Sequence, residues 1–194
     1  MNTTDQYYTE NAQSFFDTTV NVDVQKLYDH FLPHVKPNGA ILDAGCGSGR
    51  DSKHFQDLGY DVTAFDANEL LTQLASEHLG FKVIHATFDS YQATPESFDG
   101  IWACASLLHV PTEELPSVLN KYGELLTPKG VFYCSFKYGD TDQIRNGRFF
   151  SDMNETKLQK MLAPLTLNIC LTWISSDARP GRESEKWLNV LLNK

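Results

Sequence analysis

The sequence predicts one α/β domain, a three-layer sandwich in which helices cover both faces of a seven-stranded, mostly parallel, Rossmann-like sheet whose last strand is antiparallel. Three observations indicate this class. Apolar runs of strand length alternate with amphipathic segments of helix length. The length of 194 residues suits one domain, since domains usually have about 100–200 residues. The last two apolar runs follow one another with no helix between them, which favours an antiparallel pair.

Turn residues set the bounds of the elements in the first half of the chain. A helix near Val24–Leu32 precedes Pro37-Asn38-Gly39, which turn the chain into the first strand. The helix after the first strand ends at Gly59, and the helix after the second strand ends at Gly80. The predicted strands are 40–44, 62–65 and 82–86, and the helices between them lie at about 50–58 and 67–78.

The second half contains the remaining four strands. A strand at 97–103 and a helix at 112–126 lead through the turn 127–130 into a strand at 131–136. A polar stretch at 139–147 and a short helix near 155–162 follow. The final strands are 165–174 and 187–192, and their polar connection contains Pro180-Gly181, which predicts a hairpin. Residues 1–36 form an aromatic N-terminal region, and residues 37–194 form the Rossmann-like core of a single domain, 1–194.

Composition excludes several classes of function. The net charge of −9, from 25 acidic and 16 basic residues, argues against bulk nucleic-acid binding. No apolar run approaches the roughly 20 residues that span a bilayer, and the first residues lack the pattern of a signal peptide. The four cysteines are isolated in the sequence, which favours free thiols and no metal site. We therefore expect a cytoplasmic protein without a membrane partner, as a monomer or a homodimer.

A glycine-rich turn between the first strand and its helix carries the most specific signal. Gly45, Gly47 and Gly49 allow close approach of the backbone to a ligand, and the open N–H groups of the helix start favour polar or anionic groups. Asp66 ends the next strand, where a carboxylate accepts hydrogen bonds from the hydroxyls of a ribose. Nicotinamide-dependent enzymes use GxGxxG instead, and here Arg50 replaces the third glycine of that fingerprint.

The chain resembles the class I S-adenosylmethionine-dependent methyltransferase family over nearly its whole length. Three features carry the resemblance: the GxGxG turn, the preceding Asp43 and the antiparallel last strand. Within that family, the segments 47–52 and 59–66 look closest to the small bacterial tellurite-resistance type. The resemblance implies that S-adenosyl-L-methionine is the cofactor, S-adenosyl-L-homocysteine its product, and a small molecule the methyl acceptor. The alternatives are a non-catalytic module that binds the same cofactor and, less favoured, an NAD-dependent oxidoreductase.

The resemblance also implies which residues bind the cofactor. They are Asp43, Gly45, Cys46, Gly47, Gly49, Arg50, Asp66, Ala67, Phe88, Ala103 and Cys104. The family usually has an acid just after the third strand, whereas this chain has Thr87-Phe88 with Asp89 two positions late. Phe88 either lies against the adenine ring or belongs to the core. The late turn of the family usually contains two glycines, and Lys129 replaces one of them.

The arginines suggest the chemistry of the acceptor. All five lie in predicted loops or at the ends of elements, where they either build an anion pocket with Lys137 or remain solvated charges. The predicted acceptor contacts are Tyr8, Trp102, Leu107, Lys137, Arg145, Arg148, Arg179 and Arg182. His109 is the candidate catalytic base, or else it orders its loop through hydrogen bonds.

The aromatic residues near the N-terminus allow two interpretations. Tyr7, Tyr8, Phe15 and Phe16 either form a lid that closes over the cofactor and excludes water, or they dock a helix through its apolar face.

Overall fold

The computed structural model describes residues 3–194. Its helices are α1 (Thr3–Thr19), α2 (Gln25–Phe31), α3 (Arg50–Asp57), α4 (Glu69–Leu79), α5 (Leu115–Leu125) and α6 (Glu155–Leu162). Its strands are β1 (Ala40–Ala44), β2 (Asp61–Asp66), β3 (Ile84–His85), β4 (Phe98–Ala103), β5 (Leu126–Lys137), β6 (Asp142–Arg145), β7 (Arg148–Ser151), β8 (Asn168–Ser176) and β9 (Lys186–Asn193). Short 3-10 turns occupy Leu32–His34 and Leu107–His109.

The main sheet has seven strands in the order β3-β2-β1-β4-β5-β9-β8. The strands from β3 to β5 pair in parallel, whereas β9, the last strand of the chain, runs antiparallel to both of its neighbours. The structure therefore confirms the predicted fold class.

Helices cover both faces of this sheet. On one face, Tyr28 and Phe31 of α2 and Phe55 of α3 pack against the buried side chains of the sheet. On the other face, α5 contributes Leu119 and Tyr122, and α6 packs beside it. Burial of these apolar side chains removes large areas from water, which stabilises the three layers.

Three elements differ from their predicted form. The third strand has only two residues, 84–85, and both are exposed at the outer edge of the sheet. Strand β5 begins at Leu126 and so includes the predicted turn at 127–130. The polar stretch predicted at 139–147 belongs largely to a separate hairpin formed by β6 and β7.

The β6–β7 hairpin turns at Asn146 and Gly147. Both residues have left-handed backbone conformations, with φ of 50° and 78°. Asn-Gly is the preferred sequence for a two-residue turn of this kind, because both central residues need a positive φ. The dipeptide was thus a usable signal for the hairpin.

All four cysteines are free thiols, as the sequence predicts. Across residues 3–194, no helix is both long enough and apolar enough to cross a membrane.

Candidate active site

A cavity of about 1560 Å³ lies at the carboxyl ends of the parallel strands. Open α/β sheets bind their ligands at this edge. The walls come from the glycine-rich loop after β1, from Asp66 and the segment after it, from the loop after β4, from α1, from the β6–β7 hairpin and from the β8–β9 connection. The volume exceeds that of a usual single-ligand pocket, about 300–1000 Å³, so it has room for a cofactor together with an acceptor.

The glycine-rich loop is held by backbone hydrogen bonds. The N–H groups of Gly45 and Cys46 both donate to the carbonyl of Phe65, over 2.9 and 3.0 Å. Gly45 has a φ of +79°, and a Cβ there would lie 2.5 Å from Cβ of Ser106. A side chain at Gly45 is therefore excluded both by backbone conformation and by space.

Asp66 lies beside this loop, on the cavity wall. Its carboxylate accepts hydrogen bonds from the N–H of Gly47 (2.8 Å) and from the N–H of Asn68 (2.9 Å). Burial raises the pKa of Asp66, and the backbone N–H donors oppose that shift. Because a carboxylate offers about four lone-pair sites, Asp66 can still accept hydrogen bonds from the hydroxyls of a ribose.

Beneath the loop, Asp51 collects four hydrogen bonds. Arg50 donates twice (2.6 and 2.9 Å), the hydroxyl of Tyr28 once (2.5 Å) and the indole N–H of Trp102 once (2.7 Å). The charge and hydrogen bonds of Arg50 hold the pKa of Asp51 below its usual range although burial opposes this. The predicted role of Trp102 as an acceptor contact is therefore wrong, since its ring is fully buried and stacks on Tyr133 at 4.0 Å.

Asp43 is buried under the same loop, where it accepts a hydrogen bond of 2.6 Å from the hydroxyl of Ser52. Burial, and then the nearby charge of Asp51, raise the pKa of Asp43 to about 8. Gly49 has a φ of +77° at the start of α3 and faces the side chains of Leu79 and Ala75. These contacts support the loop from below.

Five residues predicted to contact the cofactor or the acceptor do not line the cavity. They are Asp43, Gly49, Trp102, Ala103 and Leu107. Ala103 and Leu107 are fully buried, because both side chains join the apolar core. Sequence spacing places residues near the ends of strands but does not say which of them face the opening.

Cys46, Gly47, Arg50, Ala67 and Cys104, also predicted to bind the cofactor, do line the cavity.

Phe88 also lines the cavity. Its ring contacts Phe65 and Tyr122, with centroids 5.4 and 5.3 Å away. One side of Phe88 therefore belongs to the core and the other faces the cavity, and its contact with the adenine ring stays a prediction.

Helix α1 covers the cavity and is tied down on two sides. The side-chain amide of Asn68 donates to the hydroxyl of Thr9 over 2.8 Å. On the other side, the N–H of Phe149 in β7 donates to the hydroxyl of Thr4 over 3.0 Å. Sequence analysis missed Asn68, although an Asn directly before a helix is a usual N-cap, and its side chain does cap α4.

His109 links α1 to the hairpin. Its Nδ1 lies 2.6 Å from the carbonyl oxygen of Phe149, and its Nε2 lies 3.0 Å from the hydroxyl of Tyr8. Because a carbonyl only accepts, Nδ1 carries the proton and the neutral ring accepts from Tyr8 at Nε2. Burial lowers the pKa of His109 to about 4. This arrangement favours the alternative in which the ring orders its loop, and a general base at His109 stays a prediction.

Four of the cations predicted to form an anion pocket have carboxylate partners. Arg145 pairs with Asp152. Arg179 makes a bidentate pair with Asp177 (2.9 and 2.7 Å), and Lys137 also reaches Asp177 (3.1 Å).

The last of these cations, Arg182, lies 3.7 Å from Glu185, which Lys137 also contacts. Lys137 in addition lies 3.9 Å from the ring centre of Trp187. The four cations hold the hairpin and the β8–β9 connection in place, so the expected convergence of all of them on an anion does not occur. No signal in the sequence indicated these pairings.

Arg148 differs from the other arginines. Among residues 3–194, no carboxylate oxygen lies within 4.0 Å of its guanidinium, and its Nε is buried without a hydrogen-bond partner. Its Cζ lies 4.3 Å from the ring centre of Tyr7 and 5.2 Å from that of Phe150. Arg148 and Tyr8 both line the cavity.

Residues 41–130 match the family model described as a methyltransferase domain. These residues carry a methyltransferase domain. This confirms the resemblance seen in the sequence, which implies S-adenosylmethionine as the cofactor. The glycine-rich loop, in which a Cβ at Gly45 would not fit, and the carboxylate of Asp66 suit the polar and ribose groups of that cofactor.

Known proteins with similar sequences include enzymes that act on different acceptors. The chain is 29% identical over 134 residues to a sterol 24-C-methyltransferase of Candida albicans, a match that covers 60% of this chain and 35% of that protein. It is 32% identical over 88 residues to the probable S-adenosyl-L-methionine-dependent methyltransferase TehB of Haemophilus influenzae, covering 43% of this chain and 31% of that protein. The chain thus spans about a third of the length of these relatives.

A similar solved structure is the 1,6-didemethyltoxoflavin-N1-methyltransferase of Burkholderia thailandensis with its acceptor and S-adenosylhomocysteine bound. The TM-score is 0.77 at 20% identity, over 98% of this chain and 86% of that chain. This likeness shows that the two proteins share a fold.

Proposed function

We propose that the chain transfers a methyl group from S-adenosylmethionine to a small acceptor that carries an anionic group. One observation carries this proposal. The glycine-rich loop, Asp66 and a guanidinium without a carboxylate partner, that of Arg148, all line one covered cavity.

The cover over the cavity supports a small acceptor. Helix α1 lies across the opening and is bonded to Asn68 on one side and to the β6–β7 hairpin on the other. An acceptor must fit beneath this cover to reach the cofactor. A cavity wall of this kind limits the size of the acceptor that can reach the cofactor.

The cofactor supplies the electrophile, since its sulfonium activates the methyl group for transfer. The protein then holds and aligns the two reactants, and alignment of this kind contributes a large share of the rate in reactions between two bound molecules. Asp66 holds the ribose side through hydrogen bonds. On the acceptor side, Arg148 attracts an anionic group, because an unpaired guanidinium in a partly buried site binds an oxyanion strongly.

The relatives do not select one acceptor. Their names refer to a sterol in one case and to a toxoflavin precursor in another. The likeness to TehB agrees with the small bacterial type that the sequence resembles. The anionic character of the acceptor therefore depends on Arg148 and not on any relative.

The test is a transfer assay with methyl-labelled S-adenosylmethionine and a deproteinised cell extract, together with calorimetry of S-adenosylhomocysteine and NAD binding. We expect S-adenosylhomocysteine to bind and the label to appear in a small, negatively charged metabolite. Binding of S-adenosylhomocysteine without any transfer, to the extract or to added macromolecules, would show a non-catalytic binding module. Binding of NAD alone would overturn the cofactor assignment.

A further inference from the structure

The acceptor half of the cavity contains an unpaired cation. Arg148 has its Nε buried without a partner, while the rings of Tyr7 and Phe150 pack around its guanidinium. Contact with aromatic faces leaves the in-plane N–H groups of a guanidinium available as donors. The guanidinium of Arg148 also hydrogen-bonds to the hydroxyl of Tyr8, and its Nε remains without a partner. A buried donor without a partner is costly, so a ligand that accepts this hydrogen bond recovers that cost.

The described side chains that pack around Arg148 include no unoccupied base. His109 has both ring nitrogens engaged, and Tyr8 donates its only proton to His109. Burial raises the pKa of Cys104 to about 12. The carboxylates nearest to the β8–β9 connection, Asp177 and Glu185, are paired with cations that lower their pKa values.

Other acidic side chains on the cavity wall are poor bases for this purpose. Asp5 accepts a hydrogen bond from the side-chain amide of Asn68, and Asp66 accepts one from the backbone N–H of Asn68. Asp89 follows β3 directly after Phe88, and Glu114 immediately precedes α5. Asp23 accepts a hydrogen bond from the N–H of Gln25 at the start of α2. A carboxylate is a far weaker base than an alkoxide or a phenolate, so it does not readily deprotonate an alcohol or a phenol.

We propose that the acceptor is a small carboxylate that enters the site already ionised, and that Arg148 orients it for methylation on oxygen. One carboxylate oxygen accepts the hydrogen bond from Nε of Arg148, and the other faces the methyl group. A singly charged carboxylate matches the site, because Lys137, Arg145 and Arg179 already contact carboxylates of the chain and, among the described cations there, only the guanidinium of Arg148 offers an unpartnered N–H. The inference rests on the proposed function and defines its acceptor.

The reaction balances without a proton transfer. The acceptor oxygen forms a bond to the methyl carbon while the carbon–sulfur bond breaks, and the electron pair of that bond stays on sulfur. The sulfonium becomes a thioether and the carboxylate becomes a methyl ester. Because the ester is neutral, its attraction to Arg148 falls after the reaction, which favours release of the product.

The first experiment identifies the product without knowing the acceptor. Small molecules of a deproteinised cell extract are labelled with methyl-labelled S-adenosylmethionine and then treated with mild alkali. Methyl esters release the label as volatile methanol, and we expect this outcome. Label that stays non-volatile would show an ether, an amine or a thioether and would overturn the inference while leaving methyl transfer intact. Failure of the proposed function differs, because no label would then leave the cofactor.

The second experiment measures binding, independently of turnover. Calorimetry with S-adenosylhomocysteine present compares a panel of small carboxylates, benzoate among them, with their neutral amides. We expect carboxylates to bind more tightly than their amides to the wild type, and Arg148→Gln to weaken carboxylate binding about 10- to 100-fold. Arg148→Lys keeps the positive charge, so its carboxylate affinity should lie between those of the wild type and Arg148→Gln. A panel in which no carboxylate binds more tightly than its amide would overturn the inference.

A matched variant controls for changes in charge and stability. Lys160 is exposed on α6 and outside the cavity, so Lys160→Gln should leave carboxylate binding unchanged. Binding of S-adenosylhomocysteine should be equal in all variants, which shows that the domain remains folded. Equal carboxylate affinity in Arg148→Gln and Lys160→Gln would contradict the role of Arg148.

Discussion

The two halves of the cavity are built in different ways. In the cofactor half, a loop and an aspartate within residues 45–66 bond to each other, mainly through backbone groups. In the acceptor half, side chains meet that are far apart in the chain: Tyr8 and His109 are 101 positions apart, and Thr4 and Phe149 are 145 apart. Backbone geometry thus determines the first half, and long-range packing of side chains determines the second.

This difference has consequences for robustness. Backbone N–H and carbonyl groups keep their positions when side chains change, as long as the φ and ψ angles are allowed. A contact between distant side chains is lost when either partner changes. We therefore expect the largest effects from glycine substitutions in the cofactor half, and smaller ones from single contacts in the acceptor half.

The largest effect is expected for Gly45→Ala. Strain at a positive φ costs about 1–3 kcal/mol, and the contact of 2.5 Å with Ser106 adds overpacking of about 1–3 kcal/mol. Denaturant unfolding should show this loss of stability, and calorimetry should show loss of S-adenosylhomocysteine binding.

Gly80→Ala is the matched control for that substitution. Gly80 has a similar φ of +73°, but a Cβ added there would have no atom within 4 Å among the described residues. It should therefore show only the backbone strain. Equal losses in the two variants would mean that close approach of Ser106 does not matter and that the loop adapts.

The second-largest effect is expected for Asp66→Asn. The change removes the negative charge that accepts from Gly47 and from a ribose, so cofactor binding should weaken by about 1–3 kcal/mol. Calorimetry with S-adenosylhomocysteine measures this loss. Asp61→Asn, at the exposed start of the same strand, should leave the affinity unchanged. If both variants bind like the wild type, the ribose lies elsewhere.

The smallest effects are expected at the link between Tyr8 and His109. Tyr8→Phe and His109→Asn each remove one or two hydrogen bonds, so each should destabilise the protein by about 0.5–1.5 kcal/mol. In a double-mutant cycle the two losses should not add, since the variants share one contact. Strict additivity would show that the two side chains do not interact.

The same link predicts a dependence on pH. The pKa of His109 is lowered from 6.5 to about 4 in the folded protein, so the unfolded chain binds the proton more readily. The contribution of the neutral ring is present above pH 6.5 and is lost as the pH falls toward about 4. Thermal unfolding across this window should show a smaller decline in His109→Asn than in the wild type. An equal decline would place the ring in a solvated site.

Much of the fold could be predicted because it depends on local patterns. Alternating apolar runs and turn residues place the strands of the main sheet, although the edge strand β3 is shorter and β5 is longer than expected. The glycine spacing and Asp66 could be located for the same reason. The hairpin of β6 and β7 was predictable from Asn146-Gly147, but its polar strands do not show the alternation of a half-buried sheet.

The sequence by itself determined the class of the domain, the glycine-rich loop and the acidic residue beside it, because each depends on backbone conformation within a short segment. Only the tertiary structure decided which side chains face the cavity and which cations are neutralised. Trp102 and Leu107 turn into the core, and Asp152 and Asp177 pair with arginines that seemed free to bind an acceptor. Arg148 remains unpaired because α1 and the hairpin surround it with aromatic rings and bring no carboxylate within 4.0 Å among residues 3–194. Pairing of charges depends on distances between remote segments, and no local pattern encodes those distances.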